Sequence, residues 1–259
     1  MRIPYYHVDA FASSRFTGNP AGVCPLSSWL PDETLQEIAA ENNLSETAFF
    51  VGRQGAYELR WFTPTTEVDL CGHATLAAAS VIFRHLGYAG EKVRFSSRSG
   101  ELAVERSGDL LVLDFPARPG APCPTPPALS EALGREPLEV WQARDYVAVY
   151  ATPEEIVALR PDMALLGELD CLGTIVTAPG VEVDFVSRFF APAVGIPEDP
   201  VTGSAHCTLV PYWAGRLGRQ RLTARQLSAR GGELYCELAG ERVRIGGRAV
   251  TYLTGEIEL

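Results

Sequence analysis

Two stretches of the chain pass from a polar loop into a long apolar run through a single glycine. The first is Asp69-Leu70-Cys71-Gly72-His73-Ala74-Thr75, continued by Leu76, Ala77, Ala78, Ala79, Val81, Ile82 and Phe83 and closed at Leu86-Gly87. The second is Thr202-Gly203-Ser204-Ala205, continued by Cys207, Leu209, Val210, Tyr212 and Trp213 and closed at Leu217-Gly218. Apolar residues fall on every side of both predicted helices, which predicts burial rather than a place on the surface. The spacing from Gly72 to Gly203 equals that from Gly87 to Gly218. A buried helix must satisfy its first N–H groups, and two such N-termini facing each other make a strong site for an anion such as a carboxylate.

The echo extends upstream. Arg60-Trp61-Phe62-Thr63-Pro64 precedes the first glycine and Arg188-Phe189-Phe190-Ala191-Pro192 the second; Pro31-Asp32 and Pro161-Asp162 each open a helix-like segment. Four landmarks in one order predict a supersecondary unit used twice. Between them, residues 3–8, 47–51, 57–62, 93–96, 101–105, 110–115, 174–177 and 183–190 read as strands. Pro31 falls at a first-turn position of its helix, which ends at Asn42-Asn43. Thr152-Pro153-Glu154-Glu155 fits a capping box. Pro211, inside the second apolar run, predicts a kink. Six prolines from Pro116 to Pro127 mark a linker, because proline suits neither a helix core nor a sheet interior. Residues 1–115 then form the N-terminal half and 128–249 the C-terminal half, with 250–259 a last strand that crosses back. The expected class is α+β: two pseudo-symmetric domains, each a rolled mixed sheet around a buried helix, with a cleft between them.

Composition narrows the function. A net charge of −10 argues against nucleic-acid or anionic-membrane partners. There is no basic leader and no apolar run long enough for a membrane span, so a cytoplasmic protein is expected. The six cysteines are dispersed without a C-x-x-C pair, and four histidines are too scattered for an obvious metal constellation.

Glu46, beside Thr47-Ala48-Phe49-Phe50, reads either as a partly desolvated acid/base group with a raised pKa or as an exposed strand-end acid. His73 follows Gly72 at a helix N-terminus. The positive helix end favours a neutral imidazole that polarises a ligand; a buried capping histidine is the even alternative. Asp199 orients His73 or acts as a second acid/base group, the alternative being a loop carboxylate that caps the second helix. Ser204 binds a ligand carboxylate or caps, and without a neighbouring base it is a poor nucleophile. Asn19, in the turn cluster Thr17-Gly18-Asn19-Pro20, lines the cleft or simply turns the chain. Gly72 and Gly203 supply backbone N–H groups; Asp69 and His206 are weaker candidates. No cysteine between Arg188 and His206 matches Cys71, so a mechanism with two opposed thiols lacks its second member.

Taken together, Val8-Asp9-Ala10-Phe11, Phe16-Thr17-Gly18-Asn19-Pro20, Asn43-Leu44-Ser45-Glu46-Thr47, Arg60-Trp61-Phe62-Thr63-Pro64, Cys71-Gly72-His73-Ala74 and Glu198-Asp199-Pro200-Val201-Thr202-Gly203-Ser204-Ala205 resemble the PhzF-like phenazine-biosynthesis isomerase family. That resemblance implies the diaminopimelate epimerase-like fold, a homodimer, and neither metal nor organic cofactor. It implies that Glu46 is the acid/base group and that His73, Asp199 and Ser204 assist. In the phenazine pathway the family isomerises a dihydro-hydroxyanthranilate, a proton leaving one ring carbon and returning to another on the same face. The chain departs from the phenazine enzymes at Ala74, Pro200-Val201 and His206-Cys207. The expected function is a cofactor-independent isomerase of a small carboxylate-bearing metabolite. The alternatives are an amino-acid racemase or epimerase of the same fold and a non-catalytic binding protein.

Overall fold

A computed structural model describes residues 1–259, which divide into two compact units. One unit comprises Met1–Asp114 and Gly246–Leu259; the other is Phe115–Ile245. The architecture is α+β, and the strand directions show the duplication more clearly than the sequence does. In the first unit the strand Arg2–Ala10 pairs antiparallel with Asn19–Leu26, which runs parallel to Glu46–Arg53. That strand is antiparallel to Ala56–Phe62, which is parallel to Lys92–Ser97, and Gly100–Ser107 follows antiparallel. In the second unit Glu139–Gln142, Tyr146–Val149, Thr174–Pro179, Phe185–Phe190, Arg221–Gln226 and Gly232–Ala239 repeat the same series: antiparallel, parallel, antiparallel, parallel, antiparallel. The closing strand Ala249–Glu258 lies antiparallel to Arg2–Ala10.

Each unit threads one long helix between its fourth and fifth strands of that series. In the first, Gly72–Arg84 is buried at every position from His73 to Phe83 and packs on the strands Arg2–Ala10, Asn19–Leu26 and Glu46–Arg53. In the second, Gly203–Leu217 is buried through its first two turns except at the half-buried Ser204 and again at Trp213 and Ala214, while its last turn is exposed. It runs through Pro211 as one helix. The all-round apolar pattern thus places the first helix fully and the second for about two-thirds of its length.

The repeated Arg-x-Phe motif has one job in both units. Arg60 holds Glu67 through Nε and Nη2 at 2.7 and 2.8 Å, lies over the Phe62 ring, and donates to Asp32 at the start of the helix Asp32–Asn42. Arg188 holds Glu198 the same way at 2.7 and 3.0 Å, lies over Phe190, and donates to the Ile156 carbonyl of the helix Pro153–Ala158. A bidentate guanidinium–carboxylate pair fixes direction as well as contact, so each arginine ties strand, helix and following loop together.

Some expected elements differ. Pro31 is the N-cap residue rather than a first-turn residue. The segment opened by Pro161-Asp162 is the short helix Met163–Gly167, capped by the Asp162 carboxylate. The proline-rich stretch is more than a linker. Pro116 ends the strand Leu110–Pro116 and Pro127 begins the helix Pro127–Leu133. Pro122 sits in a short strand, Ala121–Cys123, paired with Glu139–Gln142. Proline survives there because a strand with one partner needs donors on one edge only. No helix is long and apolar enough to cross a membrane.

Candidate active site

In the first unit, three chain segments bring polar groups to the N-terminus of the helix Gly72–Arg84. Glu46 and Asn19 are the first residues of neighbouring parallel strands, and His73 lies in the helix's first turn. Gly18 sets Asn19 in place: it has φ +72°, and a Cβ there would run into the Ala10 carbonyl oxygen. No side chain caps this helix, whose N-cap residue is Cys71.

His73 is the hub. Its Nε2 lies 3.1 Å from Glu46 Oε2, both side chains being about nine-tenths buried. Its Nδ1 lies 3.2 Å from Asn19 Nδ2 and 3.5 Å from Cys71 Sγ. Turning the Asn19 amide exchanges donor for acceptor, so Asn19 can serve the neutral or the charged ring. Glu46 Oε2 and His73 Nε2, though close, complete no aligned hydrogen bond with each other or with any other group. Paired by charge but not by an aligned hydrogen bond, the two buried atoms keep capacity that another molecule can take up.

The electrostatics run opposite to the helix-end expectation. Burial works against a charged imidazole at His73, but the Cys71 sulfur and the Glu46 carboxylate outweigh it, and the ring titrates well above its ordinary range. A helix end contributes about 0.3–1 kcal/mol, and a buried carboxylate at this distance contributes several times that. The Cys71 thiol is pushed up to about 11, chiefly by burial and then by the Glu46 charge. Glu46, Cys71 and His73 each offer one ligand atom within 4.8 Å of the others. The ring turns Nε2 to Glu46 and Nδ1 to Cys71, so its two nitrogens face different partners rather than converging with them on one ion.

In the second unit Ser204 stands in the first turn of the helix Gly203–Leu217, again uncapped by a side chain. Its hydroxyl accepts a 3.2 Å bond from Arg144 Nη2. Arg144 is in turn gripped by the buried Asp145 through Nε at 3.2 Å and Nη2 at 2.9 Å. Asp199 is buried, and Thr202 Oγ1 donates to its Oδ2 at 2.5 Å. Thr202 and Asp199 are both held by Gln226, which is wholly buried. Thr202 opens the second glycine motif, but Arg144, Asp145 and Gln226 carry no local pattern that sequence reading could seize on. They become visible only when distant strands pair.

Of the remaining candidates, Asp69 is exposed and accepts only through its carbonyl, from Ser99. It makes no side-chain bond to Glu46 or His73. His206 is buried; its Nδ1 bonds the Thr202 carbonyl at 2.8 Å, and burial brings its pKa down to about 4. It is a neutral core histidine.

Residues 8–255 match the family model described as phenazine biosynthesis-like protein. An uncharacterized isomerase of Pseudomonas aeruginosa is 57% identical over 259 residues, with 100% of both chains covered. The crystal structure of a phenazine biosynthesis protein of the PhzF family from Enterococcus faecalis superposes with TM-score 0.98 at 49% identity, again over 100% of both chains. A hydroxyproline epimerase from Agrobacterium vitis shares the fold alone, with TM-score 0.63 at 11% identity over 99% of this chain and 92% of its own. The chain belongs to the PhzF-like, phenazine biosynthesis-like family.

Proposed function

We propose that the protein is a cofactor-independent isomerase that moves one proton within a small carboxylate-bearing metabolite, with Glu46 carrying the proton. The observation behind this reading is the buried Glu46 Oε2–His73 Nε2 contact, 3.1 Å long and without an aligned hydrogen bond on either atom. A carboxylate so placed can take a proton from substrate carbon, while His73 holds or polarises the substrate. The duplicated frame carries this acid only once, since Gly173-Thr174 stands where the first unit has Ser45-Glu46. One carboxylate suffices when the proton leaves and returns on the same face. Carboxylate donors are proposed on each unit by itself: the N–H groups after Gly72 on the first, and those after Gly203 with the Ser204 hydroxyl on the second. Asp199 takes part as a substrate-positioning group, the role the family pattern implies. Asn19 serves through His73. The homodimer belongs to the same proposal; a monomer mass by light scattering removes it.

A second reading, racemisation or epimerisation at a carbon beside a carboxylate, is motivated by Cys71, whose sulfur lies 3.5 Å from His73 Nδ1. A thiol pushed up to about 11 stays almost wholly protonated at neutral pH and offers little thiolate to act as a base. Incubation in deuterium oxide with a dihydro-hydroxyanthranilate and a panel of cyclic and acyclic amino acids separates the readings. Deuterium uptake that survives Cys71→Ser and stops in Glu46→Gln supports the carboxylate mechanism. Uptake that stops in Cys71→Ser supports the thiol.

A further inference from the structure

Thr202 is the N-cap residue of the helix Gly203–Leu217 and the residue type that ordinarily caps one. Its hydroxyl does not cap. It donates instead to Asp199 Oδ2 at 2.5 Å, which leaves the helix's first N–H groups without a side-chain partner. Gln226 explains the diversion. It is the last residue of the strand Arg221–Gln226, wedged between the strands that carry Ser187 and Gly232. Its amide orientation is fixed by partners that each have a single role. The Thr202 backbone N–H can only donate, so the atom it meets at 2.9 Å is Oε1. The Asp199 carbonyl can only accept, so the atom it meets at 2.8 Å is Nε2. The second hydrogen on Nε2 then points at Thr202 Oγ1, 3.1 Å away. A hydroxyl has one proton to give. With Oγ1 accepting from Gln226, that proton is directed to the carboxylate oxygen of Asp199.

We propose that Gln226 is a positioning residue which, through Thr202, fixes the orientation of Asp199 and keeps the Thr202 hydroxyl proton pointed at its carboxylate. The inference rests on the role given to Asp199 above. It adds a device that frees the helix N-terminus and orients the acid in one stroke. Fully satisfied buried networks of this kind hold a side chain in one geometry, and losing a charge-assisted bond releases it.

The test compares Thr202→Val, Thr202→Ser and Gln226→Leu with the parent protein. Each is first checked for folding by circular dichroism and thermal melting. Thr202→Val keeps the shape and drops the hydroxyl, so the test stands even if Gln226→Leu does not fold. The substrate-free readout is the Asp199 side-chain carboxyl carbon-13 resonance at constant neutral pH. Thr202→Val and Gln226→Leu are expected to move it in the same direction by more than its linewidth, and Thr202→Ser to leave it in place. An unmoved resonance in Thr202→Val overturns the proposal whether or not any substrate has been found. The second readout is kcat and KM for deuterium uptake with the dihydro-hydroxyanthranilate. The Val and Leu variants are expected to lose roughly tenfold or more in kcat, with Ser restoring it. A moved resonance with unchanged kcat overturns the catalytic purpose of the device and leaves its geometry standing. Absence of uptake in the parent counts against the functional reading alone.

Discussion

Replacing Glu46 by Gln should turn His73 from a charged into a neutral ring at pH 7. The substitution keeps shape and removes one negative charge 3.1 Å from Nε2. At an effective dielectric constant of about 20, that separation corresponds to about 5 kcal/mol in favour of the charged ring. The side chains are 7% and 11% exposed, so solvent screens little of it. Opposing it is burial, which favours the neutral ring and is left with only Cys71 against it once the carboxylate is gone. The assay is nitrogen-15 NMR of the imidazoles. The chain has only four histidines. His206, brought down to about 4, supplies a neutral reference within the same spectrum. The parent His73 should show both nitrogens protonated at pH 7, and the Gln variant one. Linkage gives a second readout with a definite sign. The parent's folded-state His73 value lies above the ordinary one. Its stabilisation is therefore complete below about pH 6.5 and fades as the pH rises through the folded value. That decline should vanish in Glu46→Gln. A parent His73 that is neutral at pH 7, or unchanged by the substitution, would refute the electrostatic reasoning.

Other consequences follow from single contacts. His206 has the opposite linkage: its folded value of about 4 lies below the ordinary 6.5, so stability is full above pH 6.5 and falls toward pH 4, by about 3 kcal/mol in all. His206→Gln, which can keep a donor on the Thr202 carbonyl, should flatten that part of a melting-temperature profile. Arg188→Met strands the half-buried Glu198 carboxylate and the Ile156 carbonyl and should destabilise the protein by about 1–3 kcal/mol in denaturant titration, the range for losing charge-assisted hydrogen bonds. Gly18→Ala forces a Cβ into a left-handed position against the Ala10 carbonyl; a cost of about 1–3 kcal/mol and a changed His73 imidazole spectrum are expected, because Asn19 moves with it.

What the sequence made legible was what repeats or is locally periodic. The two apolar runs behind Gly72 and Gly203 betray buried helices because no polar stripe interrupts them. The Arg-x-Phe echo proves to be a matched pair of clamps on Glu67 and Glu198. Glu46 and His73, which are 27 positions apart, meet because one opens a strand and the other a helix packed on it. His73 is charged against the helix-end expectation because a helix end is a weak, local effect and the carboxylate that outweighs it is distant in sequence. Gln226 and Arg144 were invisible for the same reason. Gln226 ends a strand and meets Asp199 and Thr202 in the approach to a helix, and Arg144 meets Ser204 in that helix's first turn, pairings that no single segment encodes.

The central claim is that Glu46 carries the proton. The direct measurement is mass-spectrometric deuterium uptake into a dihydro-hydroxyanthranilate in deuterium oxide, parent beside Glu46→Gln, with binding of the same compound followed by calorimetry. Binding is expected to persist while uptake falls by about a hundredfold or more, the usual range for losing a general acid/base. Uptake at the parent rate in Glu46→Gln would contradict it.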